Sequence, residues 1–123
     1  MNKIHARRLQ YLAYKMANLP KWADEHFDMS YFFIHRGKHR HNFGNPICQK
    51  DMKHCGTSAC AFGWAAMMPY FNKIGLKFER GGYIKSQPED IFGFKAEPLF
   101  YDFSVKTPKE WAAKARKFIR EQQ

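Results

Sequence analysis

The sequence predicts an α+β fold: a mainly helical single domain over residues 1–123, with a buried central helix and a small β-hairpin. Three patterns support this prediction: apolar residues at helical spacing near both ends, a central segment that is apolar on all sides, and a glycine pair between two short runs. The 123 residues are 45% apolar and 17% aromatic, which is too apolar for a disordered basic tail. No linker or internal repeat divides the chain, so one folded domain is expected.

The first helix is predicted over residues 3–17. Ile4, Leu9 and Met16 recur near helical spacing and form an apolar stripe. Proline disfavours helix in the residue before it, so the helix is expected to end ahead of Pro20.

Residues 35–56 are predicted to form a loop. Histidine, arginine and lysine crowd its start, and Gly44, Asn45 and Pro46 follow. An irregular segment of this length is unusual inside a compact domain and is typical of a functional loop.

The central helix is predicted to begin at Thr57, whose hydroxyl can cap the free N–H groups of the first turn. It runs to Met67 and stops before Pro69. Because its residues are apolar on every side, we expect it to be buried.

A β-hairpin is predicted next, with arms at residues 76–80 and 83–85. Gly81 and Gly82 lie between the arms and supply the positive φ angles that a two-residue turn requires.

Two more helices are predicted towards the C-terminus. Ser86 and Glu89 have the spacing of a capping box, which predicts a short helix ending at Gly93. For the last helix, Thr107 is the expected N-cap and Pro108 the first helical residue, and an acidic residue follows in the first turn.

The charge of the chain favours an anionic partner. It holds 21 Lys and Arg against 11 Asp and Glu, a formal net charge of +10. Basic side chains neutralise phosphates and aromatic rings stack on bases, so the loop and the aromatic residues beside it suit nucleic acid or an anionic nucleotide. The residues predicted to bind are Arg36, Lys38, Arg40, Lys50 and Lys53, with Arg7 and Arg8 of the first helix in support. A solvated loop that its aromatic residues anchor to the core is the alternative.

Other classes of function are not indicated. No glycine-rich phosphate loop or dinucleotide-binding glycine motif occurs, so nucleotide hydrolysis by a known motif has no support. No membrane partner is expected, since the longest apolar run, residues 59–71, is shorter than the ~20 residues needed and contains a proline. With no export signal and an odd number of cysteines, reduced thiols in a cytoplasmic protein are expected.

The cysteines leave more than one interpretation open. A thiol at a helix N-terminus has a lowered pKa and is reactive, whereas a free cysteine in a core is a packed, inert residue. All six histidines precede Cys55, so the papain-type order of Cys, His and Asn is absent and papain-like catalysis is rejected, while another Cys–His arrangement stays open. No cofactor is expected, except that zinc is left open, with Cys48, His54, Cys55 and Cys60 as its ligands.

The segment Cys55-Gly56-Thr57-Ser58-Ala59-Cys60-Ala61-Phe62-Gly63-Trp64-Ala65 resembles the shared core, Cys-Gly-Thr-x-x-Cys-x-x-Gly-Trp-Ala, of a group of small bacterial and phage proteins. Phe27-Asp28-Met29 and Leu99-Phe100 are similar to flanking elements of the same group, so the likeness covers residues 27–103. The resemblance implies a phage or prophage origin and a small single-domain protein. It implies no catalytic residues.

The sequence therefore predicts a small basic phage-type accessory protein that binds an anionic partner, either nucleic acid or a nucleotide-like ligand, without catalysis. Two alternatives stay open: a counter-defence protein that binds and modulates an acidic host protein, and a Cys- or zinc-dependent enzyme. The expected location is the cytoplasm of the infected bacterial host.

Overall fold

Helices dominate the described part of the computed structural model, which covers residues 2–29, 34–35, 57–79 and 84–122. In chain order the elements are helix α1 (Lys3–Ala17), a first 3-10 helix (Lys21–His26), strand β1 (Ile34–His35), strand β2 (Thr57–Ser58), helix α2 (Ala61–Ala65), helix α3 (Pro69–Asn72), helix α4 (Pro88–Phe92), a second 3-10 helix (Phe94–Phe100) and helix α5 (Pro108–Glu121). The prediction of a mainly helical chain is confirmed.

Helix α1 has the predicted bounds, because its caps are local. The Asn2 side chain accepts the N–H of Ile4 at 2.6 Å and satisfies one of the free donors of the first turn. Leu9 and Met16 are fully buried, as predicted. Ile4, however, is 56% exposed. It lies in the first turn of the helix, on the side away from Leu9 and Met16.

Helix α5 also begins where the sequence predicts. Thr107 accepts the N–H of Glu110 at 3.2 Å, and Pro108 occupies the first helical position, where its missing N–H loses no bond. Trp111 and Ala115 on the inner face are fully buried. The two long helices α1 and α5 pack against each other along these apolar stripes.

The central segment is buried as predicted, but its helix begins later than Thr57. Thr57 and Ser58 form strand β2, which pairs antiparallel with Ile34 and His35. Ala59 continues the extended chain. Its N–H donates to the carbonyl of His26, and its carbonyl accepts the N–H of Asp28, both at 3.0 Å. Backbone partners from distant segments therefore hold this stretch extended, and the predicted capping role of Thr57 is wrong.

The predicted β-hairpin is not supported. Between its arms the described residues form one isolated antiparallel bridge, Phe78 with Ile84, and no ladder; residues 80–83, with the glycine turn, lie outside the described residues. The physical reason lies at Leu76, where the first arm was predicted to start. Its N–H donates to the carbonyl of Phe71 at 3.0 Å and is not free for a strand partner, and its carbonyl already accepts from the Asn72 side chain at 2.9 Å.

Helix α4 ends at Gly93 as predicted, but its N-cap is shifted by one residue. Gln87 is the N-cap, and its N–H donates to Asp90 at 2.8 Å, so the acidic half of the capping box is Asp90 and not Glu89. Gly93 ends the helix with a φ of +89°, a conformation that side chains with a Cβ rarely adopt.

One cluster holds all the buried apolar side chains of the described residues. Its aromatic centre stacks Phe92 on Phe100, with ring centroids 4.8 Å apart, and sets Phe62 edge-on to Phe100 at 5.7 Å. Each buried indole N–H has a backbone acceptor: Trp64 donates to His26 at 3.2 Å and Trp111 donates to Leu99 at 2.8 Å. This core fixes the relative positions of α1, α4, α5 and the second 3-10 helix.

Candidate functional site

The loop cations predicted to bind the partner lie outside the described residues. These are Arg36, Lys38, Arg40, Lys50 and Lys53. Their role stays a prediction, and of the predicted set only Arg7 and Arg8 can be placed.

Arg7 and Arg8 have different surroundings. Arg7 is exposed on the outer face of α1. Arg8 is partly buried, and its guanidinium donates to the carbonyl of Ile91 at 3.0 Å. Because Ile91 lies in the last turn of α4, this bond satisfies a carbonyl that has no partner within the helix. Arg8 therefore ties α1 to α4, and only Arg7 presents its charge openly to solvent.

A groove of about 240 Å³ lies between α1 and α5. Its lining is Gln10 of α1 with Arg116, Ile119 and Arg120 of α5; we call it the basic groove. Ile119 forms its apolar floor, and the other three side chains are exposed. Its lining contains two guanidinium groups and no carboxylate, so these residues make the electrostatic potential in the groove positive.

The two groove arginines lie on one face of α5. Arg116 and Arg120 are four residues apart, which places their Cβ atoms about 5–6 Å from each other. Lys109 lies two turns earlier on the same face, and all three are exposed. Among the described residues, Lys114 pairs with Asp102, and none of these three cations forms an ion pair with another described residue.

Helix α1 extends the positive surface beside the groove. Arg7 and Tyr14 lie one turn before and after Gln10, and both are exposed, Tyr14 by 60%. The residues of α1 include no acid, so nothing on this helix offsets the charge of its cations. Two helices far apart in sequence thus present one positive surface.

A second groove, of about 500 Å³, lies on the other flank of α5. Phe94, Lys95, Glu97 and Pro98 of the second 3-10 helix line it together with Phe118 and Gln122; we call it the aromatic groove. The two grooves lie on opposite sides of the buried stripe of α5. Around the helix axis, Arg116 is on one side of this stripe and Phe118 is on the other. At the C-terminal end of α5, Arg120 lines the basic groove and the C-cap residue Gln122 lines the aromatic groove.

Phe94 is the most exposed large apolar residue at this groove, at 79%. It directly follows Gly93, against whose Cα the His5 ring packs closely. Acidic groups lie nearby: the pKa of Tyr101 is raised by partial burial and then by Glu89 and Glu97. The aromatic groove is therefore less positive than the basic groove.

Cys60 is a buried core residue. It lies at the N-cap of α2 and is 1% exposed. Burial raises the pKa of its thiol to about 11, which outweighs the opposite effect of the N–H groups of Gly63 and Phe62. Of the two interpretations left open for the cysteines, the packed core residue is confirmed for Cys60, because this thiol has lost the water that would stabilise its thiolate.

The predicted zinc ligands are only partly placed. Cys48, His54 and Cys55 lie outside the described residues, and Cys60 is the member that the structure locates. Across the described ranges no group of three or more His, Cys, Asp or Glu side chains is arranged to hold a metal ion. In the same ranges no helix has the length and apolar character needed to cross a membrane.

Sequence reasoning missed the basic groove. Arg116 and Arg120 have the spacing of one helix face, and this signal was available once α5 was predicted. Gln10 could not be added from the sequence, because its position beside them depends on how α1 and α5 pack.

No family model, curated protein or solved structure matches the chain. The interpretation of the two grooves therefore rests on their own residues and geometry.

Proposed function

We propose that the protein binds nucleic acid without catalysis and that the basic groove contacts its phosphates. The observation that supports this most directly is the pair Arg116 and Arg120, which are exposed, without an ion pair among the described residues, and side by side at an open groove. Guanidinium groups donate in a planar fork that matches phosphate oxygens. Gln10 adds an amide donor from the opposite wall.

The surroundings of the groove favour a polymer over a single small anion. Arg7 and Lys109 continue the positive surface beyond the groove on both helices. Several separated cations suit a chain of phosphates, each contributing counterion release. The predicted loop cations would add to the same positive charge.

A salt-dependent binding measurement tests the proposal. Fluorescence anisotropy of a labelled oligonucleotide is followed with the wild type and with Arg116→Gln/Arg120→Gln. The matched control is Lys73→Gln/Lys77→Gln, which removes the same charge from exposed lysines away from both grooves. Loss of two phosphate contacts is expected to weaken binding and to reduce the salt slope by about 1.4–1.8.

Three outcomes would count against the proposal. The wild type would show no binding, or its binding would not depend on salt, or the lysine control would lose as much affinity as the arginine variant. A mononucleotide that binds as tightly as the oligonucleotide would instead favour a nucleotide-like ligand.

Binding to an acidic host protein is the second candidate, since aromatic residues are exposed beside cations. Tyr101 is 42% and Phe103 is 56% exposed, and such side chains are frequent hot spots of protein interfaces. A host protein that co-purifies in stoichiometric amount, without nucleic acid, would favour this candidate. A phage origin and a location in the bacterial cytoplasm are parts of both proposals and derive from the sequence resemblance.

A further inference from the structure

The aromatic groove differs from the basic groove in what it can bind. It offers the exposed ring of Phe94, a second ring from Phe118, and polar groups from Lys95, Glu97 and Gln122. An exposed ring beside hydrogen-bonding side chains suits a flat ligand that stacks and bonds at its edge. A nucleobase has both properties.

The charge near this groove favours phosphate less than the basic groove does, because Glu97 offsets the cation of Lys95. Glu97 lines the groove, and Glu89 and Glu97 both act on the nearby Tyr101. A phosphate backbone is therefore expected to follow the arginines on the other flank of α5, while an uncharged base can enter beside Glu97. Helix α5 lies between the two grooves and separates these two roles.

Whether the bound nucleic acid is single-stranded or double-stranded follows from how accessible the faces of its bases are. In a duplex the faces of the bases are stacked inside and their edges alone reach the grooves, so exposing one face requires unstacking. In a single strand the base faces are accessible to aromatic side chains. A phenylalanine that is 79% exposed can therefore stack on a base of a single strand, whereas a duplex would first have to be unstacked.

We propose that the nucleic acid is single-stranded and that Phe94 stacks against one of its bases in the aromatic groove. This inference rests on the proposed function, because the arginines of the basic groove supply the phosphate contacts. It adds a preference for single strands and assigns base stacking to one residue.

The experiment compares a labelled single strand with the duplex of the same sequence, using the full chain. The variants are Phe94→Ala, which removes the ring, and Phe94→Trp, which keeps an aromatic face. Phe103→Ala is the matched control, because Phe103 is also exposed but does not line the groove. Thermal unfolding of each variant confirms that the fold is intact, which the exposure of both side chains leads us to expect.

The wild type is expected to bind the single strand more tightly than the duplex. Phe94→Ala should weaken single-strand binding by about 5-fold to 160-fold, the range for loss of one stacked base. Phe94→Trp should retain the affinity, and its added tryptophan emission should fall when the strand binds. Phe103→Ala should bind like the wild type.

Equal affinity for the two forms of nucleic acid, or unchanged binding by Phe94→Ala, would overturn the inference. The proposed function would then still stand if Arg116→Gln/Arg120→Gln remained impaired relative to its lysine control. If the wild type bound neither form, both proposals would fall together.

Discussion

Replacing Gly93 with alanine is expected to destabilise the fold at the junction of α4 and the second 3-10 helix. The backbone at Gly93 has φ +89° and ψ 155°, a region that residues with a Cβ rarely adopt. A Cβ built there would also lie 2.6 Å from Nδ1 of His5, which is too close for any real contact. The substitution thus combines backbone strain with a collision between α4 and α1.

The magnitude follows from three contributions. Backbone strain in this region costs about 1–3 kcal/mol. Moving the His5 ring out of its preferred rotamer costs about 0.5–1.5 kcal/mol. Reduced freedom of the unfolded chain offsets about 0.4–1 kcal/mol. The expected net loss is about 2 kcal/mol in the free energy of unfolding, which is a large part of the stability of a small domain.

Chemical denaturation measures this loss, and two further variants separate its causes. Gly75 also has a positive φ, of +97°, but nothing lies within 4 Å of a Cβ built there. Gly75→Ala therefore carries strain without collision and should cost about 1 kcal/mol or less. In a His5→Ala background, the cost of Gly93→Ala should fall towards that of Gly75→Ala, since the collision is gone.

A cost of Gly93→Ala no greater than that of Gly75→Ala in the wild-type background would refute the expected collision with His5. An unchanged cost of Gly93→Ala in the His5→Ala background would refute it too, because the contact with α1 would then contribute nothing.

Two further predictions concern titrating groups. The pKa of Asp102 is lowered to about 2, first by its hydrogen bond from Lys114 and then by bonds from Ser104. A lowered pKa stabilises the fold above the ordinary value of 3.8, and this stabilisation is lost as the pH falls towards 2. Lys114→Gln should therefore lower the Tm at neutral pH, with a difference from wild type that disappears near pH 2; a constant difference would contradict the assignment. For Cys60, a thiol with a pKa of about 11 and no access to solvent should resist maleimide in the native protein and react in denaturant, which peptide mapping can follow; equal labelling rates in the two states would exclude the buried position.

The two long helices could be predicted because their signals are local. Thr107 caps the first turn of α5 from the adjacent position, and Pro20 lies three residues beyond the end of α1. Such contacts join residues a few positions apart, so the sequence contains both partners together. The short helix α4 was predicted for the same reason, although neighbouring polar residues left its cap ambiguous by one position.

The start of the central helix and the hairpin could not be predicted, because other hydrogen-bond partners occupy the backbone groups of these segments. Thr57 has a good capping side chain, yet pairing with His35 draws it into a strand. Leu76 belongs to an alternating run, yet its N–H donates to the carbonyl of Phe71 and its carbonyl accepts from the Asn72 side chain, both residues of α3. In each case a hydrogen bond made in the folded chain outweighs a weak local preference.

The sequence by itself determined that this protein folds around an aromatic core, carries a large positive charge and has capped helices near both ends. Only the tertiary structure decided which cations are available to a partner. Arg7 and Arg8 are neighbours in sequence, but one faces solvent and the other bonds to Ile91. Arg116 and Arg120 form a groove with Gln10 only because α1 and α5 pack together. The physical reason is that charge belongs to each residue alone, whereas exposure and pairing depend on residues that folding brings near.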